Sequence, residues 1–302
     1  MVRNSVVVIG SLNYDIIFKQ DRLPKLGETL SVNSVSYGGG GKGANQAVQC
    51  GKLGLSTYMI GKVGNDTFGQ ELLASMNKYN VNTDHIGIAN TNTGLGVVNS
   101  LPDGSLLSTI SKGSNYELTK DDIDHAESII SNCSIVILQL EIDRNIVEYA
   151  IKLAKRHGCY VILNAAPSYE LNDDIMKLVD CLVVNESEAS FYANQEVSTI
   201  KDAEQVCESL YSKIGELLVI TLGEKGSLLY DGKEKHHISP EKVEVLETTG
   251  AGDSYIGALA YGLINNKPYH EIGSFAAKVS AKTIMGIGAQ ESMPTLSDMD
   301  DE

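Results

Sequence analysis

The amino-acid sequence predicts an α/β protein with a central, mostly parallel β-sheet that carries helices on both faces. From about residue 119 onward, short apolar runs alternate with helical patterns, and strand–helix–strand repetition at this spacing is typical of a parallel sheet. The apolar runs at 135–140, 181–185 and 217–221 are continuous rather than alternating. Parallel strands buried on both faces have this composition, so these runs are predicted to be strands of the sheet.

The first third of the chain contains the same two kinds of element. Residues 5–10 are predicted to form the first strand and residues 56–61 another. A glycine-rich segment at 38–43 precedes a helical pattern at 44–54, which ends on glycine as helices often do. Residues 66–80 are predicted to form a further helix.

Two β-rich segments interrupt this order. Residues 94–110 contain two β-rich runs joined by Pro-Asp-Gly, which predicts a hairpin, and residues 27–37 are also β-rich. We expect both to belong to a small β-sheet that projects from the main sheet and covers a site at its edge. No linker or repeat divides the sequence, so residues 1–302 are interpreted as one domain with lid segments at about 14–37 and 94–110.

In the second half of the chain, helix boundaries are marked by specific residues. Residues 118–132 are predicted to be helical, with Thr119 and Asp122 at the spacing of a capping box. A helix at 145–158 is predicted to end at Gly158.

Composition excludes several classes of protein. A formal net charge of −15 is unfavourable for nucleic-acid binding, which requires basic side chains that neutralise phosphates. No apolar run reaches the ~18 residues that a membrane-spanning helix needs, and the N-terminal apolar run is too short for a signal peptide. The five cysteines form no C-x-x-C pair, which favours buried thiols in a reducing cytoplasm.

The segment GGGGKGANQA at 38–47 allows the backbone to approach a ligand closely. It lacks the spacing of a Walker or dinucleotide motif. Lys42 and Asn45 are three residues apart at the predicted helix start, so both can face one ligand. The alternative is a flexible loop followed by an ordinary helix cap.

The segment TTGAGD at 248–253 also precedes a helical pattern. The Gly-Ala-Gly turn can present successive N–H groups at the positive end of a helix dipole, an arrangement that binds anions. Asp253 would repel a bound phosphate there, and a helix cap explains it in isolation. A kinase also needs a base beside its phosphate-binding turn, to accept the proton of the acceptor hydroxyl.

Together the two segments resemble the signatures of the ribokinase family of carbohydrate kinases. Further stretches occur in the order found in that family: GSLNYD (10–15), LQLE (138–141), NAAP (164–167), NESE (185–188), TLGEKG (221–226) and GAQESMP (288–294). The resemblance covers about residues 6–294. It implies a three-layer ribokinase-like fold with a small β-sheet lid, and a homodimer formed through that lid.

The resemblance also implies the roles of individual residues. Asp253 would be the general base, and Gly250, Ala251 and Gly252 would form the anion hole. The sugar would be bound by Asn13, Tyr14, Asp15, Gly41, Lys42, Gly43, Ala44, Asn45, Glu141 and Asp253. The nucleotide, ATP, would be bound by Asn185, Glu188, Thr221, Leu222, Gly223, Glu224, Lys225, Gly226 and Gly252, with Glu188 holding Mg²⁺ through water.

A potassium site is implied beside the anion hole. Members of the family use an aspartate at the position that corresponds to Glu247. The remaining ligands would be the carbonyls of Thr249, Thr283, Gly286 and Gly288 and the hydroxyl of Ser292. Glutamate keeps the charge but is one methylene longer, so we expect K⁺ to bind with altered geometry or affinity.

Local structure offers simpler explanations for some of these residues. Asn185 and Glu188 have the spacing of a capping box, Asp15 suits a turn, and Glu141 ends a predicted strand. However, the carboxyl ends of strands are also where open α/β sheets bind ligands. Five predicted site or motif residues lie at or near such ends: Asn13, Glu141, Asn164, Asn185 and Thr221.

The sequence therefore predicts a cytoplasmic kinase that transfers the γ-phosphoryl group of ATP to the primary hydroxyl of a sugar, with O5 of D-ribose as the favoured acceptor. The alternatives are a kinase of another pentose, deoxyribose, a ketohexose or a nucleoside, or a non-catalytic regulator that binds sugar or nucleotide. The intact Asp253 and Asn185/Glu188 pair argue against the regulator. The expected partner is a small sugar rather than a nucleic acid or a membrane.

Overall fold

The computed structural model describes residues 4–102 and 106–300. Its strands are β1 (Ser5–Ile9), β2 (Asn13–Lys19), β3 (Ser34–Gly40), β4 (Ser56–Gly64), β5 (Val81–Ala89), β6 (Gly94–Ser100), β7 (Leu106–Ser111), β8 (Ile135–Gln139), β9 (Tyr160–Asn164), β10 (Cys181–Val184), β11 (Leu217–Thr221), β12 (Ser227–Tyr230) and β13 (Lys235–Ile238).

The α-helices are α1 (Lys42–Lys52), α2 (Thr67–Lys78), α3 (Lys120–His125), α4 (Glu127–Ile130), α5 (Arg144–Arg156), α6 (Asp173–Met176), α7 (Glu186–Ala193), α8 (Ile200–Tyr211), α9 (Ala251–Ile264), α10 (Tyr269–Ile284), α11 (Ala289–Ser292) and α12 (Leu296–Asp300). None of the helices in the described residues is long and apolar enough to cross a membrane.

Nine of the described strands form the main sheet, in the order β13-β12-β11-β10-β9-β8-β1-β4-β5. Neighbouring strands from β11 to β5 are parallel, and β12 and β13 are added antiparallel at one edge. In the main sheet, β4 lies on one side of β1, and β8, which comes later in the sequence, lies on the other side. The strand order therefore reverses between β1 and β8, and such switch points are where open α/β sheets bind ligands.

The core lies in two layers, one on each face of the main sheet. Buried residues of α1, α2, α9 and α10 pack against one face. Residues of α3 to α8 pack against the other. The fully buried strands contribute apolar side chains to both layers, which explains their continuous apolar sequences. The predicted three-layer α/β fold is confirmed.

Four strands form a second, small sheet in the order β3-β2-β6-β7, which we call the small sheet. β2 pairs antiparallel with β3 and parallel with β6, and β6 and β7 form an antiparallel pair. The pairing of β6 with β7 agrees with the predicted hairpin. Of its predicted Pro-Asp-Gly turn, Asp103 and Gly104 lie outside the described residues.

The structure differs from the sequence-based elements in three places. Gly38, Gly39 and Gly40 end strand β3, which the sequence did not indicate, and their pairing with β2 excludes the alternative of a flexible loop at these three residues. Residues 27–33 are not strand, so only the second part of the predicted β segment at 27–37 is extended. Strands β2 and β5 and the edge strands β12 and β13 are not predicted as strands by the sequence.

Candidate active site

The site begins where β1 and β8 end, at the switch point of the main sheet. Ser11 follows β1, and its hydroxyl donates to Glu141 Oε2 at 2.6 Å. The backbone N–H of Lys42 donates to the same carboxylate oxygen at 3.2 Å. Glu141 therefore joins the ends of β1 and β8 to the start of α1, although these segments are far apart in the sequence.

Gly41 allows α1 to start close to β2. It is the N-cap of α1, with φ of 85°, in the left-handed region that favours glycine. A Cβ at this position would lie 2.6 Å from the backbone nitrogen of Asn13. Any other residue would push the helix away from Asn13 and from the ligands predicted to lie beside it.

Asn13 and Asp15 lie on one face of the small sheet, next to the switch point. Their paired neighbours on β3 and β6 are all glycines: Gly38, Gly40, Gly94 and Gly96. The strands paired with β2 therefore place no side chain beside Asn13 or Asp15. Burial raises the pKa of Asp15 to about 7, with further contributions from nearby carboxylates and an opposing one from Lys42.

Asn115 orients Asn13, a role that the sequence did not predict. Its Nδ2 donates to Asn13 Oδ1 at 2.7 Å and to Leu12 O at 3.2 Å, and its Oδ1 accepts from the Leu12 N–H. Because Asn13 Oδ1 is occupied by this donor, the amide NH₂ group of Asn13 is left for a ligand. Nothing in the sequence around Asn115 marks it, since it lies in an unremarkable polar segment.

Asp253 is a buried acid of the site, with 8% of its surface exposed. It is the third residue of α9, whose N-cap is Gly250 with no side-chain cap, so it does not cap the helix. Its Oδ2 accepts from Asn45 Nδ2 and its Oδ1 from Gln46 Nε2, both at 2.9 Å. Burial raises its pKa, and Lys42 and the two amide donors oppose this rise.

Lys42 lies among the carboxylates of the site. Burial alone would lower the pKa of its ammonium group, but Asp253, Glu141, Glu188 and Asp15 together raise it above its ordinary value. A cation in this position neutralises part of the charge of the four acids. It also lies beside Asp253, where a transferred phosphoryl group would have to meet the acceptor.

The turn before α9 has the properties of an anion site. Gly250 has φ of 83° in the left-handed region, and Gly250, Ala251 and Gly252 all line the large cavity described below. The Ala251 carbonyl accepts from the hydroxyls of Ser254 and Ser280, each at 2.9 Å. These bonds hold the turn beside the cavity. The Ala251 N–H donates to Thr248 O at 3.2 Å, so the other first-turn N–H groups of α9, which lack intrahelical partners, are the candidates for binding an anion.

A cavity of about 1190 Å³ extends from Asp253 across the carboxyl ends of β10 and β11. Eleven predicted site residues line it: Lys42, Asn185, Glu188, Thr221, Gly223, Glu224, Gly226, Gly250, Ala251, Gly252 and Asp253. The sequence did not indicate its apolar wall, which includes Val243, Val245, Ala277, Ala281 and Ile284. Such a wall suits a flat aromatic ring such as a nucleotide base.

Asn185 and Glu188 form the capping box that their spacing predicts, at the start of α7. The Asn185 N–H donates to Glu188 Oε2 at 2.9 Å and its Nδ2 to Oε1 at 3.1 Å. Both residues also line the cavity. Burial raises the pKa of Glu188, while the Asn185 N–H and Lys42 lower it. The local explanation is therefore confirmed, and the predicted position beside the phosphates stays a prediction that is compatible with it.

Four predicted ligand residues have side chains that point elsewhere. The Tyr14 ring lies on the opposite face of the small sheet, stacks on Phe68 at 4.5 Å and donates to Glu71, because side chains alternate along a strand. The side chains of Ala44 and Leu222 are buried in the core. Lys225 donates to Ser198 O at 2.7 Å. Only the backbone of these residues remains to contact a ligand.

The predicted potassium ligands lie on segments that the structure connects. Glu247 Oε2 accepts from the Gly288 N–H at 3.2 Å, and the Ser292 hydroxyl donates to Gly288 O at 2.5 Å. Glu247 Oε1 is buried and has no hydrogen-bond partner among the described residues. No group of three or more His, Cys, Asp or Glu in the described chain could hold a metal ion, so a cation here would depend mainly on carbonyl oxygens.

Four polar residues that connect the site were not assigned roles from the sequence, although the quoted motifs contain them. They are Gln46 in GGKGANQA, Gln139 in LQLE, Asn164 in NAAP and Gln290 in GAQESMP. All four are buried. Their positions inside the motifs were the available signal, but their contacts depend on packing between distant elements.

The chain is similar to known kinases over nearly its whole length. The pfkB family of carbohydrate kinases matches residues 3–296 of the chain. The ribokinase of Schizosaccharomyces pombe is 35% identical over 98% of this chain and 96% of its own. The deoxyribokinase of Salmonella typhi is 33% identical, covering 96% of both. The structure of Arabidopsis thaliana ribokinase complexed with ribose and ATP has a TM-score of 0.88 and 31% identity, over 98% of this chain and 97% of that one.

Proposed function

The chain belongs to the pfkB family of carbohydrate kinases and is an ATP-dependent sugar kinase, and from this premise we propose that its acceptor is the primary hydroxyl of D-ribose, O5. The family agrees with the one that the sequence motifs predicted. The observation that carries the proposal is the position of Asp253. Its carboxylate is buried between the polar residues of the switch point and the large cavity, where an acceptor hydroxyl and a phosphoryl group would meet.

In the proposed reaction, Asp253 accepts the proton of the sugar hydroxyl as its oxygen attacks the γ-phosphorus of ATP. The bond from the γ-phosphorus to the bridging oxygen breaks, and ADP leaves. Lys42 and the N–H groups at the start of α9 stabilise the negative charge that is shared among the phosphoryl oxygens. Positioning and charge stabilisation supply most of the acceleration, and the base contributes about 10²–10⁴-fold.

A sugar fits the polar residues of the switch point. Asn13, Asp15, Lys42 and Glu141 offer both donors and acceptors, as buried hydroxyl groups require. The glycines beside Asn13 and Asp15 leave space for a ring. Ribose is favoured because the S. pombe and A. thaliana relatives are ribokinases. The similarity to a deoxyribokinase supports deoxyribose as the second candidate.

We propose that Mg²⁺ binds beside Glu188. Its carboxylate lines the cavity, but both of its oxygens accept hydrogen bonds from Asn185, so a water-mediated contact fits better than direct coordination. Mg²⁺ would neutralise phosphate charge. The role of this chain would be to fix the carboxylate through the capping box at the start of α7.

We propose that K⁺ binds beside the anion-hole turn. The buried Glu247 Oε1 lacks a partner among the described residues, and a cation would satisfy it. The carbonyls of Thr249, Thr283, Gly286 and Gly288 and the Ser292 hydroxyl are the proposed further ligands. When bound, K⁺ would supply a fixed positive charge near the turn at 250–252.

We propose that the small sheet is a lid over the sugar and also the contact surface of a homodimer. Apolar side chains are exposed on it: Val35, Tyr37, Leu107 and Ile110. Apolar residues grouped on one small sheet are typical of a protein–protein contact. A second copy of the chain is the proposed partner.

A reducing compartment, the cytoplasm, is proposed for the enzyme. All five cysteines are buried thiols. Proteins of oxidising compartments more commonly pair their cysteines in disulfides.

The proposed acceptor can be tested by measuring ADP release with ribose, deoxyribose, other pentoses, ketohexoses and nucleosides. The expected result is the highest kcat/KM for D-ribose, with the phosphate on O5 of the product. A higher kcat/KM for another acceptor would replace ribose with that substrate. Absence of ADP release with all of them would favour the regulator.

A further inference from the structure

Gln46, one of the two donors to Asp253, belongs to a chain of buried amides. Gln139 Nε2 donates to Gln46 Oε1 at 2.6 Å. Gln46 Nε2 in turn donates to Asp253 Oδ1 at 2.9 Å and to Asn164 Oδ1 at 3.1 Å. The side-chain amide of Gln46 thus accepts one hydrogen bond and donates two.

A second chain of amides reaches the other oxygen of Asp253. The Ser75 hydroxyl donates to Gln290 Oε1 at 3.3 Å, and Gln290 Nε2 donates to Asn45 Oδ1 at 3.1 Å. Asn45 Nδ2 then donates to Asp253 Oδ2 at 2.9 Å. Each carboxylate oxygen of Asp253 is therefore held by one chain.

The outer partners determine which way each amide faces. A side-chain amide turned by 180° exchanges its oxygen for its NH₂ group. Because Gln139 donates to Gln46 Oε1, the NH₂ group of Gln46 must face Asp253. Gln139 Oε1 lies in the space that a Cβ of Gly10 would need and has no hydrogen-bond partner among the described residues, so the amide of Gln139 is oriented by its donation to Gln46.

We propose that Gln46 is a positioning residue for the kinase reaction, which holds Asp253 in the orientation that accepts the proton of the sugar hydroxyl, and that Gln139 sets the direction of its amide. The proposal rests on the proposed role of Asp253 as the base. Gln46 is fully buried and acts through Asp253 rather than on the substrate. Its loss should therefore lower kcat more than it raises the KM for sugar.

Gln46 should also keep Asp253 ionised. A hydrogen bond donated to a carboxylate stabilises its charged form and lowers its pKa, so removal of Gln46 should raise the pKa of Asp253. The charged groups that also act on Asp253 are Lys42 from α1, Glu141 after β8, Asp15 from β2 and Glu188 from α7. These groups remain in the variants below.

The main test compares Gln46→Met with Gln49→Met. Gln49 is equally buried on the same helix, but its Nε2 binds Pro294 O and does not contact Asp253. We expect Gln46→Met to lower kcat about 10- to 100-fold, the effect of losing a hydrogen bond to a charged group. The acid limb of its kcat–pH profile should move up by about one pH unit, with little change in the KM for sugar. Gln49→Met should keep the wild-type kcat and acid limb.

A second variant covers the possibility that Gln46→Met does not fold. Gln46→Glu keeps the shape of the side chain and still accepts a hydrogen bond from Gln139, but it places a carboxylate oxygen against Asp253. Its acid limb should move up further than that of Gln46→Met. An unchanged acid limb in either folded Gln46 variant, or the same shift in Gln49→Met, would overturn the proposal.

A direct titration separates this proposal from the role of Asp253. In protein labelled with carboxyl-¹³C aspartate, the Asp253 resonance is the one that disappears in Asp253→Asn. Its pKa should rise in Gln46→Met and not in Gln49→Met, and no rise would refute the positioning role. If Asp253→Asn keeps normal turnover, the base assignment fails instead, whatever the titration gives.

Discussion

On the sugar side of Asp253, polar side chains are joined by hydrogen bonds between segments far apart in the sequence, whereas the nucleotide side is held by short local motifs. Ser11 and Glu141 are separated by 130 positions, and Asn45 and Asp253 by 208. On the other side, Asn185 and Glu188 close a capping box within one turn.

This difference indicates how much structural change each side of the site can tolerate. The sugar side depends on the exact approach of α1, β1, β2 and β8, so a small displacement there should affect several hydrogen bonds together. The nucleotide side is a large cavity with an apolar wall, which places fewer geometric demands on each residue. Substitutions at Asp253, on the sugar side and on the nucleotide side can test this contrast.

The largest effect is expected where the two sides meet. Asp253→Asn keeps the shape of the side chain but removes the base, so kcat should fall about 10²–10⁴-fold. Binding of the sugar, measured by calorimetry, should change little by comparison. Near-normal turnover of the purified variant would show that Asp253 is not the base.

A smaller but selective effect is expected from Gly96→Val on the sugar side. The added side chain would collide with the carboxylate of Asp15, and overpacking of this kind costs about 1–3 kcal/mol. The KM for sugar should rise about 5- to 150-fold, with the KM for ATP unchanged in steady-state assays.

The matched variant on the nucleotide side is Ala281→Met, which enlarges a residue of the apolar wall. It should raise the KM for ATP and leave the KM for sugar unchanged. If both variants changed both constants equally, the two sides would not be independent and the contrast drawn above would be wrong.

A still smaller effect should appear in the pH dependence of sugar binding. The pKa of Asp15 is raised to about 7, so its carboxyl group is protonated below that pH and becomes a better acceptor of hydrogen bonds above it. Sugar affinity should increase as pH rises through about 7, and Asp15→Asn should abolish this dependence. Isothermal titration at several pH values would measure it, and a pH-dependent Asn variant would assign the effect to another group.

The smallest change is expected from the cation. Phosphorylation should be faster in potassium than in tetramethylammonium, which is too large for the proposed site. Glu247→Gln, which removes the charge, should reduce that difference. Equal rates in the two salts would exclude the potassium site.

The sequence predicted much of the fold because its signals are periodic or local. Continuous apolar runs at 135–140, 181–185 and 217–221 correspond to strands β8, β10 and β11. The capping boxes at Thr119 and Asn185 are formed as their spacing predicts. The run of glycines is not predicted to be a strand, because nothing in the segment itself shows that β2 pairs with it.

The candidate site was predicted less evenly. The motifs predict that Lys42 and Asp253 belong to the site, and both line the large cavity. It could not show that the ring of Tyr14 faces α2, because that depends on which face of the small sheet meets the helix. Asn115 could not be found, because its only distinguishing property is its contact with residues more than 100 positions away.

By itself, therefore, the sequence determined the α/β class, several helix starts and the glycine-rich turn before α9. These features follow from side-chain periodicity and from the backbone freedom of glycine, which act within a few residues. Only the tertiary structure decided which polar groups hold Asp253. The amides of Asn45, Gln46, Gln139 and Gln290 are ordinary polar side chains in the sequence. They acquire direction only when α1, α9, β8 and α11 pack together and bring each buried donor within reach of its acceptors.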